Sequence, residues 1–411
     1  MKKGNLYPWI LVGLLWGVAL LNYMDRQMLS TMKPSMQADI AELKTAENFG
    51  RLMAVFLWIY GFMSPVAGMI ADRVSRKWLI VVSLFVWSAV TFSMGYAVSF
   101  QQLYWLRAIM GISEALYIPA GLSLIADFHD SKTRSLAVGI HMTGLYTGQA
   151  LGGFGATVAA SFSWQQAFHV FGIIGIVYAG ILILFLKDKK SPDEPAATFA
   201  RLQKPPLFRG LALLFSNISF WIILFYFAVP SLPGWGIKNW LPTLFSNTLD
   251  TDMAMAGPLS TITIAVSSLM GVITGGLLSD KWVQKNVRGR IYTSAIGLGL
   301  TIPALLLIGF GHSLFNIVGA AFCFGFGYGM FDANNMPILC QFVSARYRAT
   351  AYGLMNMTGV FAGAFITDWL GKATDKGNLG RDFALMSVVV ALALIVQLYF
   401  LRPRYADFKE E

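Results

Sequence analysis

The sequence predicts an all-α integral membrane protein: twelve transmembrane helices in two pseudo-symmetric six-helix bundles. Three observations lead there. Of 411 residues, 56% are hydrophobic and only 13% charged, with mean hydropathy +0.59, whereas soluble domains carry about 25% charged residues. The apolar residues gather in runs of roughly the 20 residues that cross a bilayer. The two halves of the chain also repeat one another.

The runs place spans at 8–31, 52–71, 78–98, 103–127, 136–160, 166–186, 211–246, 254–279, 291–311, 314–339, 349–371 and 383–401. The opening stretch "MKKGNLYPWILVGLLWGVALL" starts basic but has no small-residue cleavage pattern, so it reads as a retained first helix. The seventh run is long for one span. Its "VPSLPGWGIKNWLP" supplies Pro230, Pro233, Gly234 and Pro242, which predicts a kink or break. The polar connector 187–209 separates six spans from six, giving an N-terminal bundle 1–186, a linker 187–209 and a C-terminal bundle 210–411.

Orientation follows from lysine and arginine. With both termini on one face, that face carries 22 of the 31 basic residues and the opposite loops only six. Positive residues stay inside, so both termini are expected in the cytoplasm of a multi-pass cell-membrane protein, a bacterial inner membrane fitting best. The net charge of +10 is thus topology and implies no nucleic-acid partner. Cys323 and Cys340 fall in or beside one apolar run and read as free thiols. The histidines at 129, 141, 169 and 312 are scattered, and no metal cluster, nucleophile elbow or nucleotide loop is present, which argues against an enzyme and against any resident cofactor or metal.

The repeat is visible in residues. "GISEALYIP" (111–119) and "GMFDANNMP" (329–337) pair Gly111 with Gly329, Glu114 with Asp332, Ala115 with Ala333 and Pro119 with Pro337. "RSLAVG" (134–139) pairs with "RATAYG" (348–353), and "GMIADRVSRK" (68–77) with "GLLSDKWVQKNVRGR" (276–290). Such a repeat marks two bundles around a central cavity.

"GMIADRVSRK" resembles the loop signature between helices 2 and 3 of the major facilitator superfamily, with Ser75 in place of its second glycine. "LNYMDRQMLS" (21–30) and "RAIMGISEALYIPA" (107–120) are similar to the helix 1 and helix 4 patterns of the anion:cation symporters, a family that includes sugar-acid and hexuronate carriers and sialin-like proteins. "SWQQAFHVFG" (163–172) echoes a third element, with Gln165 where arginine is usual. Spinster-like lipid carriers share nearly the same helix 4. The resemblance implies the major facilitator fold, transport by alternating access, and functional roles for the matching acids and arginines.

Charges inside spans point to function, because each costs at least about 2.5–3.5 kcal/mol at the bilayer centre. Arg107 and Glu114 lie two turns apart on one helix face, too far for an easy direct pair, so helix 1 is expected to supply partners through Asp25 and Arg26. Arg26 and Arg107 are expected to grip an anionic substrate, and Asp25 and Glu114 to carry protons as the coupling ion. The bland alternative is a charge network that only pins two helices together. Tyr23, Tyr60, His141, Tyr146, Gln149, Asp332, Asn334, Asn335 and Asn356 are candidates to line the cavity, His141 being equally readable as a packing residue. Lys238 is either a second anion contact or a side chain snorkelling to the interface. The glycines of 144–155 predict close helix packing, and the aromatics read as mostly lipid-facing. Asp72, Arg73, Arg76 and Lys77, with Asp280, Arg288 and Arg290 in the second copy, are expected to latch the bundles on the cytoplasmic rim while the cavity faces out; plain positive-inside topology is the alternative for the basic members.

The function expected is proton-coupled symport of a small organic anion, a hexuronate or aldonate, by a monomer. A spinster-like lysolipid carrier and a neutral-sugar or sugar-phosphate transporter remain the alternatives.

Overall fold

Serine and asparagine stand where apolar runs begin, and there they start helices. Ser75, Ser163, Ser313 and Asn217 each accept a backbone N–H from two or three residues on, at 2.9–3.2 Å, satisfying a donor that the first turn leaves without a partner. The computed structural model describes residues 6–71, 74–129, 133–188, 207–344 and 347–403. Among these, the first half contains α1 (Tyr7–Thr31), α2 (Lys33–Asp39), α3 (Ala46–Ala71), α4 (Arg76–Met94), α5 (Phe100–Ala115), α6 (Tyr117–Phe128), α7 (Arg134–Gly152), α8 (Gly155–Ser161) and α9 (Trp164–Phe185). The second half contains α10 (Leu207–Phe215), α11 (Ile218–Leu249), α12 (Met253–Val283), α13 (Gly289–Phe310), α14 (Leu314–Asp332), α15 (Asn335–Leu339), α16 (Arg348–Asp375) and α17 (Leu379–Phe400).

Ten spans among the described residues are long and apolar enough to cross a membrane, α5–α6 and α14–α15 each counting as one. Helices α7 and α16 stand at the predicted fifth and eleventh spans and carry more polar residues, among them His141, Gln149, Asn356 and Thr367. Polar side chains are tolerated there because both helices pack on other helices, α7 on α1 and α12, α16 on α3 and α11.

The fourth and tenth spans break at matching places. Helix α5 ends at Ala115 and α14 at Asp332, with turns at Leu116 and at Ala333–Asn334. Pro119 and Pro337 lack the N–H that would bond the carbonyls of Ala115 and Ala333, so the internal repeat places a break beside each acid. The seventh span corrects the sequence reading on where it divides. Residues 207–215 form a separate helix, and α11 then runs unbroken through Pro230, Pro233 and Pro242. One reason is visible: Pro242 leaves the Lys238 carbonyl without its intrahelical donor, and Gln27 Nε2 of α1 supplies one at 2.9 Å.

Glycines set the helix spacing. A Cβ on Gly144, Gly148 or Gly152 would run into the α1 backbone at Trp16, Leu20 or Met24, as the small-residue run predicts. On Gly111 it would meet Phe56 O at 2.8 Å and Tyr60 N at 3.2 Å, so this glycine lets α5 lie against α3. The aromatics divide: Trp58, Trp105, Trp221 and Phe315 are among many that are exposed, as the sequence reading expects, while Trp87, Trp164, Trp240 and Phe56 are among the largest fully buried side chains.

Gly111→Val is therefore expected to lower the detergent-solubilised protein's melting temperature, with an overpacking cost of about 1–3 kcal/mol. Gly180→Ala, on an open face of α9 with nothing within 4 Å, should leave it unchanged or slightly higher. Equal melting temperatures for Gly111→Val and wild type would show that α5 and α3 are not tightly apposed.

Candidate functional site

Asp25 and Arg26 are adjacent on α1 and therefore point in different directions. Arg26 turns toward α5, where its Nε donates to Glu114 Oε2 at 2.6 Å, and Asn22 Nδ2, one turn earlier, donates to the same oxygen at 2.9 Å. Glu114 has no solvent exposure, and its Oε1 has no hydrogen-bond partner. The guanidinium of Arg26 lies 4.7–5.1 Å from the ring centres of Tyr23, Phe56 and Tyr60. Arg107 reaches the same Phe56 ring at 4.6 Å, so one phenyl serves two cations. Each arginine keeps a buried nitrogen without a hydrogen-bond partner among the described residues, Nη2 of Arg26 and Nε of Arg107. Among the described residues no carboxylate lies within 4.0 Å of Arg107, whose Nη1 touches Met110 Sδ at 3.1 Å.

Asp25 turns the other way, to α4, and accepts a hydrogen bond from Thr91 Oγ1 at 3.3 Å. The expectation that helix 1 partners helix 4 holds through Arg26 and Glu114, while Asp25 forms no ion pair among the described residues. Tyr23, Tyr60 and Tyr146 gather around the same space, since Tyr23 lies within Coulombic reach of Arg26, Glu114 and Asp332, and Tyr146 of Tyr23 and Asp332. Asp332 is exposed, as befits a residue on the wall of a cavity between the halves. Gln149 and Lys238 line a small cavity with Gln27 and Thr261 where α1, α7, α11 and α12 meet, and Lys238 Nζ lies 4.9 Å from the Trp235 ring.

Other candidates sit elsewhere. His141 is fully buried against Tyr117, ring centres 5.9 Å apart, so it belongs to the packing and not the cavity. Asn334 is also fully buried, its Nδ2 bonded to Met330 O at 2.8 Å. Asn335 is buried and acts through Asp332, donating to its Oδ1 at 3.2 Å. Asn356 bridges the halves by donating to Ser64 Oγ at 3.2 Å.

The described rim residues make their contacts within each half of this structure. Asp72 and Arg73 lie outside the described residues. Arg76 pairs with Asp127, Lys77 Nζ donates to Ile183 O at 2.7 Å, and Lys77 N to Asp188 Oδ1 at 2.8 Å, all within the first half. Arg290 lies 3.9 Å from Asp280, and Arg288 donates to Leu398 O, all within the second. These groups brace each half; besides the Asn356–Ser64 bond, a set of contacts joins the halves on the face opposite the termini. There Asp375, at the end of α16, accepts from the backbone N–H of Ala46 and Glu47 at 2.7 and 2.8 Å, so a carboxylate of one half caps α3 of the other. Lys372 bonds Asp368 at 3.2 Å and lies 3.9 Å from Glu47. Thr157 and Thr261 bond carbonyls across the α7–α8 and α12 contact at 3.1 and 3.2 Å. The sequence reading missed this rim, and also Asn22, Phe56 and Thr91. Asn22 was detectable, one helical turn before Arg26; Phe56 was not, since an aromatic in an apolar run carries no distinguishing signal.

The sequence pattern of the Major Facilitator Superfamily matches residues 15–367. The chain belongs to that superfamily. It is 25% identical to a hexuronate transporter of Bacillus subtilis (strain 168), over 96% of this chain and 94% of that one. It is 26% identical to the sphingosine-1-phosphate transporter SPNS2 of Mus musculus, over 93% of this chain and 76% of that one. A crystal structure of a bacterial homologue of the human lysosomal transporter Spinster, inward-facing and unoccupied, superposes with a TM-score of 0.80 at 19% identity, covering 99% of each chain. The protein is thus a multi-pass membrane transporter and not an enzyme.

One rim residue titrates in a useful range. Lys33 of α2 is buried, with Nζ 5.0 Å from the Trp240 ring of α11 in the other half. Burial pushes its pKa down from 10.5 to about 8, against the opposing pull of the Asp375 charge. Parting the halves would return it to water and to the ordinary lysine range, so the protonated form favours opening. Opening of this rim is expected to rise as pH falls from the ordinary lysine range toward about 8, by at most about tenfold per pH unit, and to level off below about 8. Spin labels on Glu42→Cys and Lys376→Cys, with both native cysteines changed to serine, would report the rim distance; Lys33→Met should flatten its change between pH 9 and 7. An unchanged profile in Lys33→Met would remove Lys33 from the gate.

Proposed function

We propose that this transporter is a proton-coupled symporter that imports a small organic anion, a sugar acid such as a hexuronate or aldonate, with both termini in the cytoplasm. The observation that carries the reading is the Arg26–Glu114 pair: a buried ion pair in which the arginine still has a nitrogen to offer, 2.6 Å from a carboxylate that can take a proton. While Glu114 is ionised it occupies Arg26. A proton on Glu114 Oε2 removes the opposing charge and leaves two guanidiniums, Arg26 and Arg107, sharing Phe56 and open to a substrate carboxylate. Proton and anion then enter together, because each makes the other's site favourable. Asp25, held by Thr91, is the second proton carrier. No resident cofactor is needed. The halves rock about this site, the closed rim opening as the other shuts. The similarity to a hexuronate transporter supports a sugar acid; that to SPNS2 supports a competing reading in which the arginines hold a lipid phosphate.

Uptake by proteoliposomes under an inward proton gradient tests both. Wild type is expected to accumulate labelled hexuronate or aldonate and not sphingosine-1-phosphate. Arg107→Ala should lose at least about tenfold in uptake, the scale of deleting one partner of a desolvated charged contact. Glu114→Gln should still exchange substrate across the membrane while losing accumulation driven by the gradient. Gradient-driven accumulation surviving in Glu114→Gln would sink the coupling role, and transport of the lipid alone would sink the substrate.

A further inference from the structure

The two repeat-related acids meet opposite fates. Glu114 is fully buried and closed onto Arg26 and Asn22. Asp332 is exposed and forms no ion pair within 4.0 Å among the described residues. It is nonetheless fixed in place. The Tyr226 hydroxyl lies 2.7 Å from Ser294 Oγ and 3.1 Å from Asn335 Oδ1, and Asn335 Nδ2 donates to Asp332 Oδ1 at 3.2 Å. That chain holds one carboxylate oxygen and leaves Oδ2 without a hydrogen-bond partner among the described residues. The break after α14 turns the residue out of the helix stack. Tyr23 and Tyr146 of the first half and Tyr328 and Tyr352 of the second are all within Coulombic reach of it. Tyr23 is within reach of Arg26 as well, and so stands between the two.

Arg26 and Arg107 thus stand on one half, Arg26 paired with Glu114, and on the other stands Asp332 with Lys238 within Coulombic reach of it. We infer that Asp332 is a specificity residue that selects polyhydroxylated monocarboxylates and rejects dicarboxylates of the same length. This rests on the sugar-acid reading above. The substrate carboxylate takes Arg26 and Arg107, and hydroxyls at the far end of the molecule donate to Asp332 Oδ2, which is acceptor-only when ionised. A second carboxylate at that end would meet Asp332 directly, and like charges in a confined site are strongly unfavourable. An ammonium group at that end is disfavoured by Lys238, which is within Coulombic reach of Asp332. Neutral hydroxyl donors suit both neighbours.

The test is competition against labelled hexuronate uptake in proteoliposomes, comparing an unlabelled six-carbon aldonate with the six-carbon aldarate, which differs by a second terminal carboxylate. In wild type the aldonate is expected to compete at least about tenfold better, as a like-charge clash demands. Asp332→Asn is expected to lower hexuronate uptake, since a neutral amide accepts hydroxyl donors less strongly than a carboxylate, and in the uptake that remains to shrink the difference to about threefold or less. Asp332→Glu should keep the discrimination, which also decides the matter if Asp332→Asn is inactive. Equal competition in an active wild type, a full discrimination retained in Asp332→Asn, or its loss in an active Asp332→Glu overturns the assignment and leaves the sugar-acid reading standing. A wild type that moves no sugar acid overturns that reading and this one with it.

Discussion

The contact between Arg26 and Glu114 is the constraint around which the rest of the first half is arranged. Two charges withdrawn from water cost several kcal/mol each, and removing one partner of such a pair costs about 3–5 kcal/mol because the other is left buried alone. The pair is tolerable only with close support. Asn22 shares the accepting oxygen, and Phe56, Tyr60 and Tyr23 surround the cation with aromatic rings. Gly111 brings α5 close enough to α3 for Phe56 to serve both arginines. Pro119 ends the helix one residue after Glu114, so the carboxylate sits at a joint and not within a stiff rod.

The second half repeats the joint and changes its charge balance. Pro337 breaks the tenth span beside Asp332 as Pro119 breaks the fourth beside Glu114, but no arginine comes to meet the acid. Duplication thus delivered the same backbone device twice, and side chains then gave the two copies different work. The cavity wall is polar on both halves, which a lipid tail would find costly and a hydroxyl-rich solute would not.

Much of this was readable from residues. The helix count, the repeat and the charged positions of the first and fourth spans follow from pattern alone, because charges in apolar runs are expensive and therefore informative. Direction was harder. Adjacent residues on a helix face about 100° apart, so "DR" in α1 predicts that Asp25 and Arg26 cannot share one partner, yet nothing in the sequence says which faces α5. His141 and Asn334 look like cavity residues by type and are packing by rotation. The joining contacts were missed for a related reason. Basic residues cluster on the face of the termini because of topology, which drew attention there, whereas the joining contacts use Asp375, two backbone N–H groups and a lysine hidden under tryptophan. A backbone donor leaves no trace in a sequence.

How the halves are joined also bears on how they can part. Within a bilayer, helix association gains little from hydrophobic burial and depends on close packing and hydrogen bonds. The closed rim has both in modest amounts: glycine contacts at Gly50, Gly153, Gly257 and Gly371, the Asp375 cap, and the Gln27 bond to the Lys238 carbonyl. Each hydrogen bond is worth about 1 kcal/mol net, and each is made to backbone, which keeps its geometry when the halves rotate as rigid bodies. The ion pairs Arg76–Asp127 and Asp280–Arg290 lie within one half and need not break. Opening must break the contacts on this rim, and the Gln27 bond among them starts at the residue after Arg26 and ends on Lys238. A change of charge at Arg26 and Glu114 acts on the same turn of α1 that holds the rim shut. That shared turn is the shortest physical route from proton binding to gate.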